Sequence, residues 1–150
     1  MVVAIDGPAG VGKSTIAKMI AQSCNFYYLN SGSFYRAYTF LHIQEGKDPM
    51  DFPSVLETAK QHVLAVDGGR ICVEGEDIED KLHTSEVDRF VAKISAYPPL
   101  REHVNEQLRR ISKDMDVVVE GRDVTTVVFP DADLKCHFDA KPEVRAERRF

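Results

Sequence analysis

The run Gly-Pro-Ala-Gly-Val-Gly-Lys-Ser, from Gly7 to Ser14, has the residue types and spacing of a loop that grips polyphosphate, G-x-x-x-x-G-K-[ST]. Gly7, Gly10 and Gly12 carry no Cβ, so the backbone can turn its N–H groups into one concavity. A helix beginning near Lys13 aims the positive end of its dipole at the same point. Lys13 then reaches the β- and γ-phosphates, and the Ser14 hydroxyl is placed to ligate the Mg2+ that travels with them. The apolar run Val2-Val3-Ala4-Ile5, directly ahead, supplies the strand that such a loop follows. The chain is expected to bind a nucleoside triphosphate.

Two further clusters carry chemistry. Asn30-Ser31-Gly32-Ser33-Phe34-Tyr35-Arg36 opens a helix that places Ser31, Tyr35 and Arg36 near the rim of a sheet. Val117-Val118-Val119-Glu120-Gly121-Arg122-Asp123 is a buried strand ending in an acid, a glycine, a guanidinium and a carboxylate. Glu120 stands where such proteins carry the acid that steadies Mg2+, directly or through water. Arg122 can hold a phosphate bidentately. Asp123 can accept hydrogen bonds from a base amino group or help to order the metal.

The elements that must position these residues follow the rhythm of a doubly wound α/β sheet. Val2–Ile5, Val117–Val119 and Leu134–Phe138 are expected as buried parallel strands, with Phe26–Leu29 as a fourth. Ligands gather beyond the carboxyl ends of such strands, where Gly7–Ser14, Asn30–Arg36, Glu120–Asp123 and Asp139 all fall. Between the early and middle strands lies an insertion. Its spacing predicts helices over Ser31–Gln44, Phe52–Ala65, Thr84–Ile94 and Leu100–Ser112, the last two separated by Pro98-Pro99. A hairpin of Val63–Val66 and Arg70–Val73 turns at Asp67-Gly68-Gly69. A final helix starts at Lys141-Pro142-Glu143 and runs through Arg145, Arg148 and Arg149 to Phe150 without a C-cap signal. The chain therefore reads as C-terminally incomplete.

Composition bounds the partners. A length of 150 residues fits one domain with a real core. The net charge of −5 argues against broad nucleic-acid binding, which needs a basic surface, but not against small phosphates caught by local arginines. Cys24, Cys72 and Cys136 form no C-x-x-C pair and read as reduced, buried thiols of a cytoplasmic protein. His42, His62, His83, His103 and His137 show no metal-ligand spacing. No stretch approaches a signal peptide or a membrane span. The expected state is a monomer.

The motifs Gly-Pro-Ala-Gly-Val-Gly-Lys-Ser-Thr, Ser31 to Arg36, Ser95-Ala96-Tyr97-Pro98-Pro99-Leu100-Arg101 and Gly121-Arg122-Asp123-Val124-Thr125-Thr126-Val127-Val128-Phe129-Pro130 together resemble bacterial cytidylate kinases. The resemblance spans the chain in the family's order. It implies an α/β phosphate-loop kinase with a parallel sheet flanked by helices, whose hairpin-bearing insertion binds the monophosphate. It implies one domain over residues 1–150, with a core of about 1–30 and 115–150, an insertion of about 31–114, and the lid and last strand absent from this chain. The implied reaction is γ-phosphoryl transfer from ATP to CMP or dCMP with Mg2+; the alternative is a non-catalytic or weakly active nucleotide-binding remnant without the lid.

By the same resemblance Lys13, Arg122 and Asp123 are catalytic. Gly7, Pro8, Ala9, Gly10, Val11, Gly12, Lys13, Ser14, Thr15 and Arg148 bind ATP, while Ser14 and Glu120 serve the metal. Ser31, Tyr35, Arg36, Arg101, Arg122 and Asp123 bind CMP, with Arg36 and Arg122 on its phosphate and Arg101 and Asp123 on the cytosine. Three positions depart from the family pattern: Asn30 stands for Asp, Ala92 for a base-contacting Ser, and Thr125 for Gly.

Overall fold

Alternation along the first strand sends Val3 and Ile5 to one face of a sheet, and the first helix covers them with Ala17 and Ala21. The computed structural model describes residues 1–8, 10–139 and 143. In chain order its elements are β1 (Val2–Asp6), α1 (Lys13–Cys24), β2 (Tyr27–Asn30), α2 (Ser31–Gln44), α3 (Phe52–Gln61), β3 (Leu64–Asp67), β4 (Arg70–Val73) and β5 (Glu76–Asp77). A 3-10 turn at Glu79–Lys81 leads to α4 (Ser85–Ser95), α5 (Pro98–Ser112), β6 (Val117–Gly121), a π-helical turn at Val124–Val128 and β7 (Leu134–His137). The fold is α/β, with a parallel sheet and flanking helices. The chain divides into two units, one of Met1–Asn30 with the chain from Leu108 onward, the other of Ser31–Gln107.

The first unit is built on the parallel sheet β2-β6-β1-β7. Register brings the strand ends into one row, Asn30 beside Glu120, and Asp6 beside both Gly121 and His137. Val3, Ile5 and Val118 share a face and pack under α1, with Ile20, Phe26 and Phe138 against them. The expectation of a buried strand at Leu134–Phe138 is corrected here. Among the described residues β7 has a strand neighbour on one side only, and Leu134 is 52% exposed. The thiols are corrected too: Cys24 is exposed, and Cys72 and Cys136 are half-buried.

In the second unit α2 buries Phe34, Ala37, Tyr38 and His42, and packs against α3 and α4. The Asp51 carboxylate accepts from Ser54 N at 3.2 Å, and Thr84 Oγ1 from Val87 N at 3.3 Å, so α3 and α4 each start on a side-chain cap. The helix expected to reach Ala65 ends at Gln61, because Leu64–Asp67 is claimed by antiparallel pairing with Arg70–Val73. The helix expected from Leu100 starts earlier, at Pro98. Prolines cost nothing in a first turn, whose N–H groups have no intrahelical partner.

Candidate active site

The loop between β1 and α1 demands glycine three times, once at Gly10, whose φ of 81° is left-handed. A Cβ on Gly7 would sit 2.6 Å from the Phe138 carbonyl oxygen and 3.0 Å from Val11 Cγ2. Gly12, at φ 84°, holds the left-handed conformation directly before Lys13. Among the described residues no side chain caps α1 and no acid lies in its first turn. The positive end of its dipole and its leading N–H groups suit an anion.

Register explains the acid beneath this loop. Glu120 lies two residues beyond Val118 and so shares the sheet face that α1 covers. The Ser14 hydroxyl donates to Glu120 Oε1 at 2.5 Å. The carboxylate is 1% exposed, and its Oε2 has no hydrogen-bond partner among the described residues. Tyr28, on the neighbouring strand, meets the same group; its burial, reinforced by the Glu120 charge, pushes the phenol well above the usual tyrosine range. Lys13 is half-buried with Nζ 3.4 Å from the Pro8 carbonyl oxygen. Burial lowers its pKa, the Glu120 charge opposes that, and Arg122 adds to the lowering.

An orphaned, buried carboxylate oxygen beside a hydroxyl is a donor set that fits a hard divalent cation such as Mg2+. Among the described residues no group of three or more His, Cys, Asp or Glu could hold a metal by itself. A cation at Ser14 and Glu120 would complete its shell from phosphate oxygens and water, as Mg2+ commonly does.

Beyond β6, Arg122 is exposed and Asp123 half-buried. The π-helical turn that follows is fastened at both ends. Asp6 Oδ1 accepts from Val124 N at 2.6 Å, and Oδ2 accepts from Thr125 N at 3.0 Å and from the Thr125 hydroxyl. At the other end Arg109 donates from Nε to the Val128 carbonyl and from Nη2 to the Val127 carbonyl, both at 2.9 Å. One buried acid takes N–H groups that the turn leaves over, and one guanidinium takes its carbonyls.

The second unit gathers the other predicted residues. Ser31 and Tyr35 are buried on α2. The Arg101 guanidinium lies 5.4 Å from the centre of the Tyr35 ring and donates to the Ser95 carbonyl at 2.8 Å. Arg36 Nη1 donates to the Leu82 carbonyl at 3.1 Å and to Asp88 Oδ1 at 2.6 Å. Ala92 is exposed on α4.

This geometry suits a polyphosphate in the first unit and arginine-held anions in the second, yet it names no acceptor. The family model of cytidylate kinase matches residues 3–150. The chain belongs to the cytidylate kinase family. It is 41% identical over 150 residues to the cytidylate kinase of Solibacter usitatus (strain Ellin6076), covering 100% of this chain and 65% of that protein. It is 38% identical over 148 residues to the cytidylate kinase of Caldanaerobacter subterraneus subsp. tengcongensis, covering 99% of this chain and 66% of that one. The cytidylate kinase of Streptococcus agalactiae serotype Ia is 40% identical over 153 residues, covering 99% and 67%. The chain thus spans 65–67% of the length of these curated relatives.

Of the residues expected from the sequence, Ser14 meets Glu120, Lys13 lies within the electrostatic reach of Glu120 and Arg122, and Tyr35 meets Arg101. In the loop, Val11 is buried, Pro8 and Gly10 are half-buried and Thr15 is exposed. Ala9, Arg148 and the helix start at Lys141-Pro142 lie outside the described residues. Asp6, Tyr28, Asp88 and Arg109 escape motif reading. Asp6 had a signal, a charge closing an apolar strand one residue before the glycine loop. The other three had none, because each acts on a partner remote in sequence.

Proposed function

We propose that this chain carries the nucleotide chemistry of its family: transfer of the ATP γ-phosphoryl group to CMP or dCMP, yielding ADP and CDP or dCDP. The observation that carries the reading is the Ser14–Glu120 pair beneath an uncapped helix start and its glycine loop. In this reading the loop N–H groups and Lys13 hold the β- and γ-phosphates. Ser14 and Glu120 would hold the Mg2+ that arrives with ATP, whose charge offsets that of the polyphosphate. The unit Ser31–Gln107 takes the monophosphate, with Arg36 on its phosphate and Tyr35 and Arg101 at its base. Arg122 stabilises charge on the transferring group and Asp123 orients the acceptor. Phosphoryl transfer asks for positioning and cations and needs no covalent protein nucleophile, which matches this residue set. The reading extends to a cytoplasmic monomer acting on free nucleotides, in keeping with a net charge of −5.

A coupled assay with CMP, ATP and Mg2+ tests the proposal, with Lys13→Ala as the control. CDP formation that disappears in the variant is the expected result. Near-normal turnover in Lys13→Ala overturns the phosphate-loop roles. ATP binding without CDP, even at high protein concentration, assigns a nucleotide-binding role in place of catalysis. Phosphorylation of another small hydroxylated acceptor but not of CMP moves the chain to a different substrate class.

A further inference from the structure

Arginine offers five N–H groups in a planar fork, and which are already engaged decides where an anion can dock. In Arg36 both described contacts fall on Nη1, one to the Leu82 carbonyl and one to Asp88 Oδ1. Two protons and two acceptors match, so Nη1 is saturated. Among the described residues neither Nε nor Nη2 makes a hydrogen bond. Those two nitrogens form the side edge of the fork, the edge that takes two oxygens of a phosphate at once. The Arg36 side chain is 27% exposed and neither nitrogen is fully buried, so that edge is reachable.

The pinning groups belong to one short segment. Leu82 closes the 3-10 turn, and Asp88 lies in the first turn of α4, just after its Thr84 cap. An acid there is also favoured by the helix dipole, and an exposed ion pair alone stabilises little, so a purely structural role is the competing account. The difference lies in geometry. A pair that only stabilised α4 could use any edge of the guanidinium, whereas this one occupies the single nitrogen that leaves the bidentate edge open.

We infer that Asp88 is a positioning residue. With the Leu82 carbonyl it fixes the Arg36 guanidinium so that its Nε–Nη2 edge faces the acceptor monophosphate. The inference rests on the proposed nucleotide reading for the identity of the anion, and on the hydrogen bonds alone for the pinning.

The test uses the whole chain and the variants Asp88→Ala, Asp88→Asn and Arg36→Ala. Asp88→Ala should raise KM for CMP about fivefold, the scale of a surface charge pair, with KM for ATP unchanged. Asp88→Asn, which keeps an acceptor oxygen, should recover most of that loss. In an Arg36→Ala background the Asp88 change should have no further effect on CMP. An unchanged or lowered KM for CMP, or an equal effect without Arg36, overturns the inference. Guanidinium NMR of the nucleotide-free protein separates the two failures. Slowed rotation of Arg36 that is lost in Asp88→Ala supports the pin, and free rotation in the unmodified chain refutes it. If that chain neither binds nor phosphorylates CMP, the functional reading fails while the spectrum still decides the pin.

Discussion

Asp6 and Thr125 lie 119 positions apart and are joined by two hydrogen bonds, from the Thr125 N–H and from its hydroxyl, to one carboxylate oxygen. Asp6 is 3% exposed, so these bonds and the one from Val124 N are what make its burial tolerable. They tie the residue before the glycine loop to the turn after Gly121-Arg122-Asp123. The Thr125 hydroxyl therefore adds a bond that a glycine at this position would lack. Thr125→Val, which keeps the shape and removes the hydroxyl, should lower stability by about 1.5–3 kcal/mol, the range for a hydrogen bond to a charged group. Urea unfolding checks it, and an unchanged midpoint refutes the bond's importance.

Gly7→Ala places a methyl 2.6 Å from a backbone oxygen that cannot rotate away. The loop must shift, at about 1–3 kcal/mol for overpacking. Weaker ATP binding by calorimetry is expected to accompany the lower melting temperature. Unaltered ATP affinity would detach Gly7 from the phosphate site.

Glu120→Gln preserves volume and an acceptor for Ser14 while removing the charge under α1. The Mg2+ requirement for ATP binding should rise about tenfold, the lower end of what supporting ligands contribute to metal sites. Titrating Mg2+ at fixed ATP reads this directly. An identical Mg2+ dependence would exclude Glu120 from metal handling.

His103 sits against Tyr38, with ring centres 5.6 Å apart. Burial pushes its pKa below the ordinary 6.5, against the upward pull of Glu106 and of a backbone contact at Ala59, while Lys60 adds to the lowering. The folded state thus takes up this proton less readily than the unfolded chain. Its contribution is intact above the unfolded value and is lost as pH falls through the folded one. His103→Gln should flatten the decline in melting temperature between pH of about 7 and about 5. The same decline in both proteins would place the acid sensitivity elsewhere.

The strands at Val2 and Val117 were legible because apolar β-branched runs bounded by polar residues have few other solutions, and the one at Phe26 from its short aromatic run. The hairpin was legible from Asp67-Gly68-Gly69. The end of α3 was not, since Gln61 to Ala65 satisfies a helical pattern and a strand pattern equally, and only pairing with Arg70–Val73 decides between them. The exposure of Leu134 was hidden for a related reason: an outer and an inner parallel strand can carry the same apolar run.

What the sequence by itself determined is the loop from Gly7 to Ser14, whose chemistry is local: glycines, a lysine and a hydroxyl at fixed spacing make an anion cradle wherever the chain folds. Family membership was equally legible, because its motifs are contiguous stretches in a set order. Only tertiary structure decided which groups meet. Ser14 finds Glu120 across 106 positions, Asp6 finds Thr125 across 119, and Arg36 finds Asp88 across 52. Such pairs depend on strand register and helix packing, where a slip of one residue turns a side chain to the opposite face.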